Sequence, residues 1–408
     1  MTPSALRMIE AIAGGVTTPL GFRAAGISAG IKAKAGALDL ALLTSDSAAA
    51  AVAVFTTSRA PAAPVLVSRD HLVRSTGTAR AIIVNSGCAN ACTGDAGLRD
   101  AREMASATAA LAGCPVEQVL VASTGVIGVA LRMDKFRAGL PAAFHELGTG
   151  HGSLAAQAIM TTDPFPKEAA ARLSLGGRDI TVGGMAKGSG MIEPMMATML
   201  GFVTTDAAVS PALLDRALRE VVHDTFNAIT VDGECSTNDC VMLLANGASG
   251  VTVDEGSYDA FADTLRAVCT RLALGIVRGG EGATKLVTVT VTGAASAVEA
   301  RRAAKAIANS LLVKTAVHGG DPNWGRLIAV AGRAGVEFEL SRAKVTIGPI
   351  VLFRDGVPHD EASPEAALYL KNDEVALGVD LGVGSAASTV WTCDLSAEYV
   401  RINAEYRT

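Results

Sequence analysis

The sequence predicts a mixed α/β (α+β) layered sandwich of sheets flanked by helices, and three observations carry that prediction. Short apolar or β-branched runs alternate with segments of helical period along the whole chain. Half of the residues are apolar but only 4% are aromatic, so Ala, Val, Leu and Ile must build the core. Glycine, 43 residues of it, punctuates the elements. Small side chains let helices lie close on sheets, which is the layered solution. At 408 residues the chain also exceeds what one hydrophobic core usually supports, so two domains or two merged halves are expected.

Taken in order, LDLALLTS (38–45), AAVAVFTT (50–57), ARAIIVNS (79–86), VLVAS (119–123) and DITVGGM (179–185) read as strands, each a short apolar or β-branched run. Residues 95–113 read as a helix that opens on Asp95 as a cap and closes on Gly113. Ser210 followed by Pro211 starts another, with Leu214, Ala217, Leu218, Val221 and Val222 on one face. A long helix over 257–276 carries the stripe Phe261, Leu265, Val268 and Leu272. KLVTVTVTG (285–293) is a strand, 297–312 a helix, and paired strands follow near 343–353, 376–382 and 388–393. There is no short repeat and no low-complexity linker.

Composition excludes several classes of function. The net charge is −5 and no run of Lys or Arg could track a phosphate backbone, so nucleic acid is not expected as a partner. No apolar segment approaches the ~18 residues of a membrane span. The N-terminus, with Glu10 inside its apolar patch, lacks the pattern of an export signal, so a cytoplasmic protein is expected. Seven cysteines spread over the chain suit reduced thiols. Neither Cys88/Cys92 nor Cys235/Cys240 has zinc-knuckle spacing and the six histidines are scattered, so buried free thiols, no metal and no cofactor are expected.

Four glycine-rich stretches carry the functional question. GGVTTPLGF (14–22) and STGVIG (123–128) read as short loops, while GGMAKGSGM (183–191) and RGGEGATK (278–285) each set a charged residue among glycines. The last fails the P-loop spacing, because Lys285 precedes Leu286 and not Ser or Thr. A nucleotide-binding module stays only as an alternative of another class. A loop such as Thr124–Gly125 can instead offer one hydroxyl and one unhindered N–H, the two donors of an oxyanion hole. In KGSGMIEPMMATML (187–200) a single Thr198 stands where this polar loop turns into an apolar strand.

KGSGMIEPMMATML, with TTD (161–163), STGVIG, DGECSTND (232–239), RGGEGATK, HGGDPNWGR (318–326) and the terminal YVRINAEYRT, resembles the ornithine acetyltransferase family of arginine biosynthesis. The likeness runs from GGVTTPLGF to the last residue. It implies a self-cleaving N-terminal-nucleophile fold related to that of the β-aminopeptidases, cut between Ala197 and Thr198 into an α chain (1–197) and a β chain (198–408). It implies acetyl transfer from N2-acetylornithine to glutamate, with Thr198 as nucleophile and Thr124 and Gly125 as oxyanion donors. Thr161, Lys187, Asn403 and Thr408 are implied as substrate contacts. Of these, Lys187 suits the shared α-carboxylate by its charge, and Glu281 is assigned to the ornithine amine or to proton shuttling. HGGDPNWGR reads as architectural, with Trp324 buried beneath a turn. The cut chains are expected to stay together as a heterotetramer of two α and two β chains. Acetyl-CoA as a second donor is left open, as is a β-aminopeptidase-like amidase on the same scaffold.

Chemistry supplies a reason for such a cut. A Thr hydroxyl is a poor nucleophile unless a base adjoins it, and a free α-amine, with an ordinary pKa of about 7.7–8.0, is such a base. An internal Thr has none. Cleavage creates one in place; the small Ala197 leaves its carbonyl open to attack, and Gly188 and Gly190 permit a bent loop before it.

Overall fold

The structure, a computed structural model, describes residues 9–193 and 199–405. The chain forms two compact units, one from the described residues up to 227 together with 234–276, the other from 228–233 and the described residues from 277 onward. These units do not follow the proposed cut, since strands from both sides of it share a sheet in the first.

In the first unit nine strands are joined edge to edge through one long strand, Leu40–Phe55. The sequence reads this strand as two. Its pairing with Thr78–Cys88 slips between Thr44 and Ala49, where Asp46, Ser47 and Ala48 stand in solvent. Such a bulge bends a strand and increases its twist. Before the bulge the strand pairs with Phe22–Ile27, and after it with Cys240–Ala245. The sheet thereby folds back on itself. Ala41, Leu43, Ile82, Val84 and Leu120 from one leaf pack in the same buried cluster as Met185, Leu200, Phe202, Met242 and Leu244 from the other.

Alternation along the strands fills the outer layer. Leu40, Leu42, Ala81, Ile83, Val119 and Val121 point the opposite way, into a cluster with Met104, Phe136 and Leu140 of the helices Gly94–Ala112 and Met133–His145. The first of these helices ends on Gly113 at φ 63, as expected. Asp95 does not cap it; Thr93 occupies the cap position and Asp95 lies in the first turn, where its charge favours the helix dipole. Ser210 does cap Pro211–Asp224, accepting from Leu213, and all five residues of its predicted stripe are buried. The stripe of Tyr258–Arg278 is buried as well.

The second unit is a six-stranded sheet with the helices Ala297–Ala308, Leu311–Gly319 and Trp324–Gly332 packed on one core. The predicted helix 297–312 breaks at Asn309, because Ser310 turns to cap a new helix by accepting from Val313. Trp324 is half-buried rather than buried. It opens the last of these helices, stacks on Phe353 with centroids 5.1 Å apart, and donates to Asp360 at 3.0 Å.

Candidate active site

STGVIG begins as strand rather than loop. Val119–Val126 pairs in parallel with Thr78–Cys88, placing Ser86 beside Thr124 and Gly87 beside Gly125. Gly125 sits at φ 128, and a Cβ there would come within 2.4 Å of the Gly87 carbonyl carbon. Both the backbone conformation and the close approach exclude any other residue. Ser123 donates to Asn85 at 2.6 Å, and Asn238 of the DGECSTND segment donates to the carbonyls of Ser123 and Ala89 at 2.8 and 2.6 Å. Thr124 therefore stands on a strand end braced from two sides.

Lys187 ends the strand Arg178–Lys187, two residues beyond the predicted strand. It is 4% exposed, and its Nζ donates to Thr124 Oγ1 at 3.2 Å. A hydroxyl has two lone pairs and one proton, so a Thr124 that accepts from Lys187 keeps its own O–H to give elsewhere.

Beside them lies an acid that the sequence reading passed over. Asp163, the third residue of TTD, is buried and accepts from Lys167 Nζ at 2.5 Å, from Gly188 N at 2.7 Å and from Thr161 N at 3.0 Å. Burial acts to raise its pKa, but the charges of Lys187 and Lys167 outweigh burial and hold it at about 2. Lys167 is itself buried, and burial lowers its pKa against the pull of Asp163. Asp163 thus fixes the backbone of Thr161 and of the residue after Lys187 while neutralising Lys167. In the sequence Asp163 is signalled only by its place in TTD and by Lys167 four residues on.

A second acid was also missed. Asp239 is 1% exposed, and its Oδ1 accepts from Met199 N at 2.8 Å, one peptide bond beyond Thr198. Its Oδ2 has no hydrogen-bond partner among the described residues. Thr56 lies beside it but gives its hydroxyl to the Ser236 carbonyl at 2.8 Å. Burial pushes the Asp239 carboxyl well above the usual carboxylate range, and the Met199 N–H and the Lys187 charge only partly oppose this.

The remaining predicted residues fall elsewhere. Glu281 and Asn403 belong to the second unit, where Asn403 Nδ2 donates to Glu281 Oε2 at 2.8 Å. Ala197, Thr198 and Thr408 lie outside the described residues. All seven cysteines are free, but Cys92 and Cys235 are exposed, contrary to the expectation of burial. Among the described residues no group of three His, Cys, Asp or Glu side chains could hold a metal ion, and no helix is long and apolar enough to cross a membrane.

The first unit therefore presents a buried lysine on a threonine hydroxyl at a glycine-tightened strand end, an arrangement suited to stabilising a developing oxyanion. Comparison with known proteins agrees with that chemistry. The ArgJ family profile matches residues 23–408. A relative from Symbiobacterium thermophilum, named arginine biosynthesis bifunctional protein ArgJ, is 52% identical over 406 residues, 98% of this chain and 100% of its own. Its namesake from a Synechococcus species is 50% identical over 411 residues, 98% of this chain and 99% of its own. A crystal structure of the ArgJ bifunctional protein from Bacillus halodurans is 45% identical and matches with a TM-score of 0.50, covering 51% of this chain and 100% of that one. The chain belongs to the ArgJ family, whose members are acetyltransferases of arginine biosynthesis.

Proposed function

We propose that this chain moves an acetyl group from N2-acetylornithine to L-glutamate through an ester on Thr198, formed after the chain cuts itself between Ala197 and Thr198. The observation that carries the reading is the Lys187–Thr124 contact, a buried cation on a hydroxyl that retains its own proton to donate.

Thr198 Oγ attacks the acetyl carbonyl while its freed α-amine takes the hydroxyl proton. Negative charge develops on the carbonyl oxygen, where Thr124 O–H and Gly125 N–H meet it. The C–N bond breaks, ornithine leaves with the proton, and acetyl-Thr198 remains. Glutamate then attacks the ester through its own neutral α-amine, the ester C–O bond breaks, the Thr198 α-amine passes the amine proton back to Oγ, and N-acetylglutamate departs. Lys187 serves the α-carboxylate that donor and acceptor share, whereas Lys167 is held in a direct ion pair with Asp163. Glu281 answers the side-chain ammonium of ornithine, and Thr161, Asn403 and Thr408 complete the substrate contacts by their family positions.

Two features support the cut. Lys187 pairs with Leu200 across antiparallel strands, a connection that two residues can make, yet residues 188–199 intervene. Within that excess, Met191 adopts φ 57, a left-handed conformation unfavourable for its side chain. The Bacillus structure adds a third point, because its whole chain corresponds to only 51% of this one. A cut after residue 197 would leave 408 − 197 = 211 residues, about half, in the longer fragment. The ladder from Lys187–Leu200 to Val182–Thr205 would hold the fragments together, and two such pairs would form a symmetric heterotetramer. The word bifunctional in the relatives' names favours acetyl-CoA as a second donor.

Initial rates test the scheme. One pocket used in turn gives parallel lines in double-reciprocal plots, whereas intersecting lines would mean a ternary complex and no covalent intermediate.

A further inference from the structure

The HGGDPNWGR motif has no part in the scheme above, yet its first residue contacts the carboxylate that holds the glycine-rich loop carrying Glu281. His318, in the last turn of Leu311–Gly319, places Nδ1 2.7 Å from Asp394 Oδ2. Asp394 follows the strand Ala386–Cys393 and is 2% exposed. Its Oδ1 accepts from the N–H groups of Thr284 and Lys285 at 2.7 and 2.9 Å, and its Oδ2 also accepts from the Thr284 hydroxyl at 2.6 Å. Burial acts to raise the Asp394 pKa, but the hydrogen bonds from Thr284, His318 and Lys285 outweigh it and hold the carboxyl below its ordinary value. An ionised carboxylate only accepts, so Nδ1 of His318 carries the proton between them.

The other side of the loop is held as firmly. Ser396, two residues past Asp394, donates to the Gly282 carbonyl at 2.7 Å. Gly282 sits at φ 68, and a Cβ there would fall 2.5 Å from the Tyr399 backbone N. Glu281 adjoins these anchors, 5% exposed, with Asn403 on its Oε2. Of its two carboxylate oxygens, Asn403 orients one.

We propose that Asp394, steadied by His318, is a positioning residue for Glu281 and so sets how the enzyme discriminates its amine-bearing donor from its carboxylate-bearing acceptor. The proposal rests on the reading in which Glu281 meets the ornithine side-chain ammonium. N2-acetylornithine and glutamate share an α-carboxylate and differ at the side-chain end, one positive and one negative. A fixed carboxylate attracts the first and repels the second. Displacing it changes the two affinities unequally, whereas general loosening of the fold changes them alike.

KM and kcat for each substrate, measured in the full chain carrying His318→Leu, His318→Asn, Asp394→Asn or Glu281→Gln, decide the matter. His318 is partly exposed at a helix end, so its variants should fold even if Asp394→Asn does not. His318→Leu should raise KM for acetylornithine roughly tenfold, the scale of one charge-assisted hydrogen bond, and leave KM for glutamate unchanged or lower. His318→Asn keeps an N–H donor and should restore the ordinary values. Glu281→Gln should show the same split, more strongly. If Glu281→Gln splits the two KM values but His318→Leu moves both equally or neither, the positioning role is wrong while the Glu281 reading stands. If Glu281→Gln shows no split, both are overturned.

Discussion

Lys187 Nζ donates to Thr124 Oγ1 although their strands stand five places apart in the sheet. They meet because the strand Leu40–Phe55 bends at its bulge and brings the two leaves face to face. The cation proposed for the substrate carboxylate and the donor proposed for the oxyanion thus form one hydrogen-bonded unit. Thr124→Ala should lower kcat by ~100-fold or more, and Lys187→Ala should raise KM for both substrates. The pair in contact should not act additively. The double variant should depart from the summed effects by ~0.5–3 kcal/mol, measured from kcat/KM in a double-mutant cycle. Additive losses would mean that the contact has no functional weight.

Asp163 gives a pH prediction. Its folded pKa, about 2, lies below the ordinary value near 3.9, so the stability it contributes is complete above pH 4 and is lost as pH falls toward 2. Thermal melting followed over that range should show the loss, and Asp163→Asn should flatten it. The same variant leaves Lys167 buried without its counter-charge, which should cost about 3–5 kcal/mol at neutral pH by denaturant titration.

Asp239 carries the opposite sign. Its folded pKa is raised, so the native state holds the extra proton and stability falls as pH rises from near 3.9 through the raised value. Asp239→Asn cannot ionise and still accepts from Met199, so its melting temperature should equal or exceed that of the parent chain at pH 8. Asp239→Ala removes the acceptor, and stranding the Met199 N–H should cost about 1–3 kcal/mol and slow self-cleavage. A destabilised, unprocessed Asn variant would show that the charge itself is required.

Periodicity made much of this fold legible. The helix stripe from Leu214 to Val222 and the stop at Gly113 were readable because each depends on its own few residues. The bulge near Ser45 and the break at Asn309 were not, since one depends on a neighbouring strand and the other on Ser310 choosing a new helix over the old one. The candidate site divides along the same line. Lys187, Thr124 and Glu281 stood out as polar residues among glycines. Asp163 owes its character to burial beside Lys167, a lysine only four residues on whose burial the sequence does not reveal, and Asp239 to burial beside Met199, 40 residues away.

Self-cleavage should show directly on a denaturing gel. The 41.4 kDa chain should run as two fragments of about half that mass each, and Thr198→Ala should remain a single inactive chain.

The most direct test of the central claim is the mass of each fragment after mixing with N2-acetylornithine and no acceptor. An acetyl-Thr198 intermediate predicts one added acetyl group on the fragment 198–408, none on 1–197, and its disappearance when glutamate is added. Active protein that remains uncut, or that carries no acetyl group on 198–408 while releasing ornithine, would contradict it.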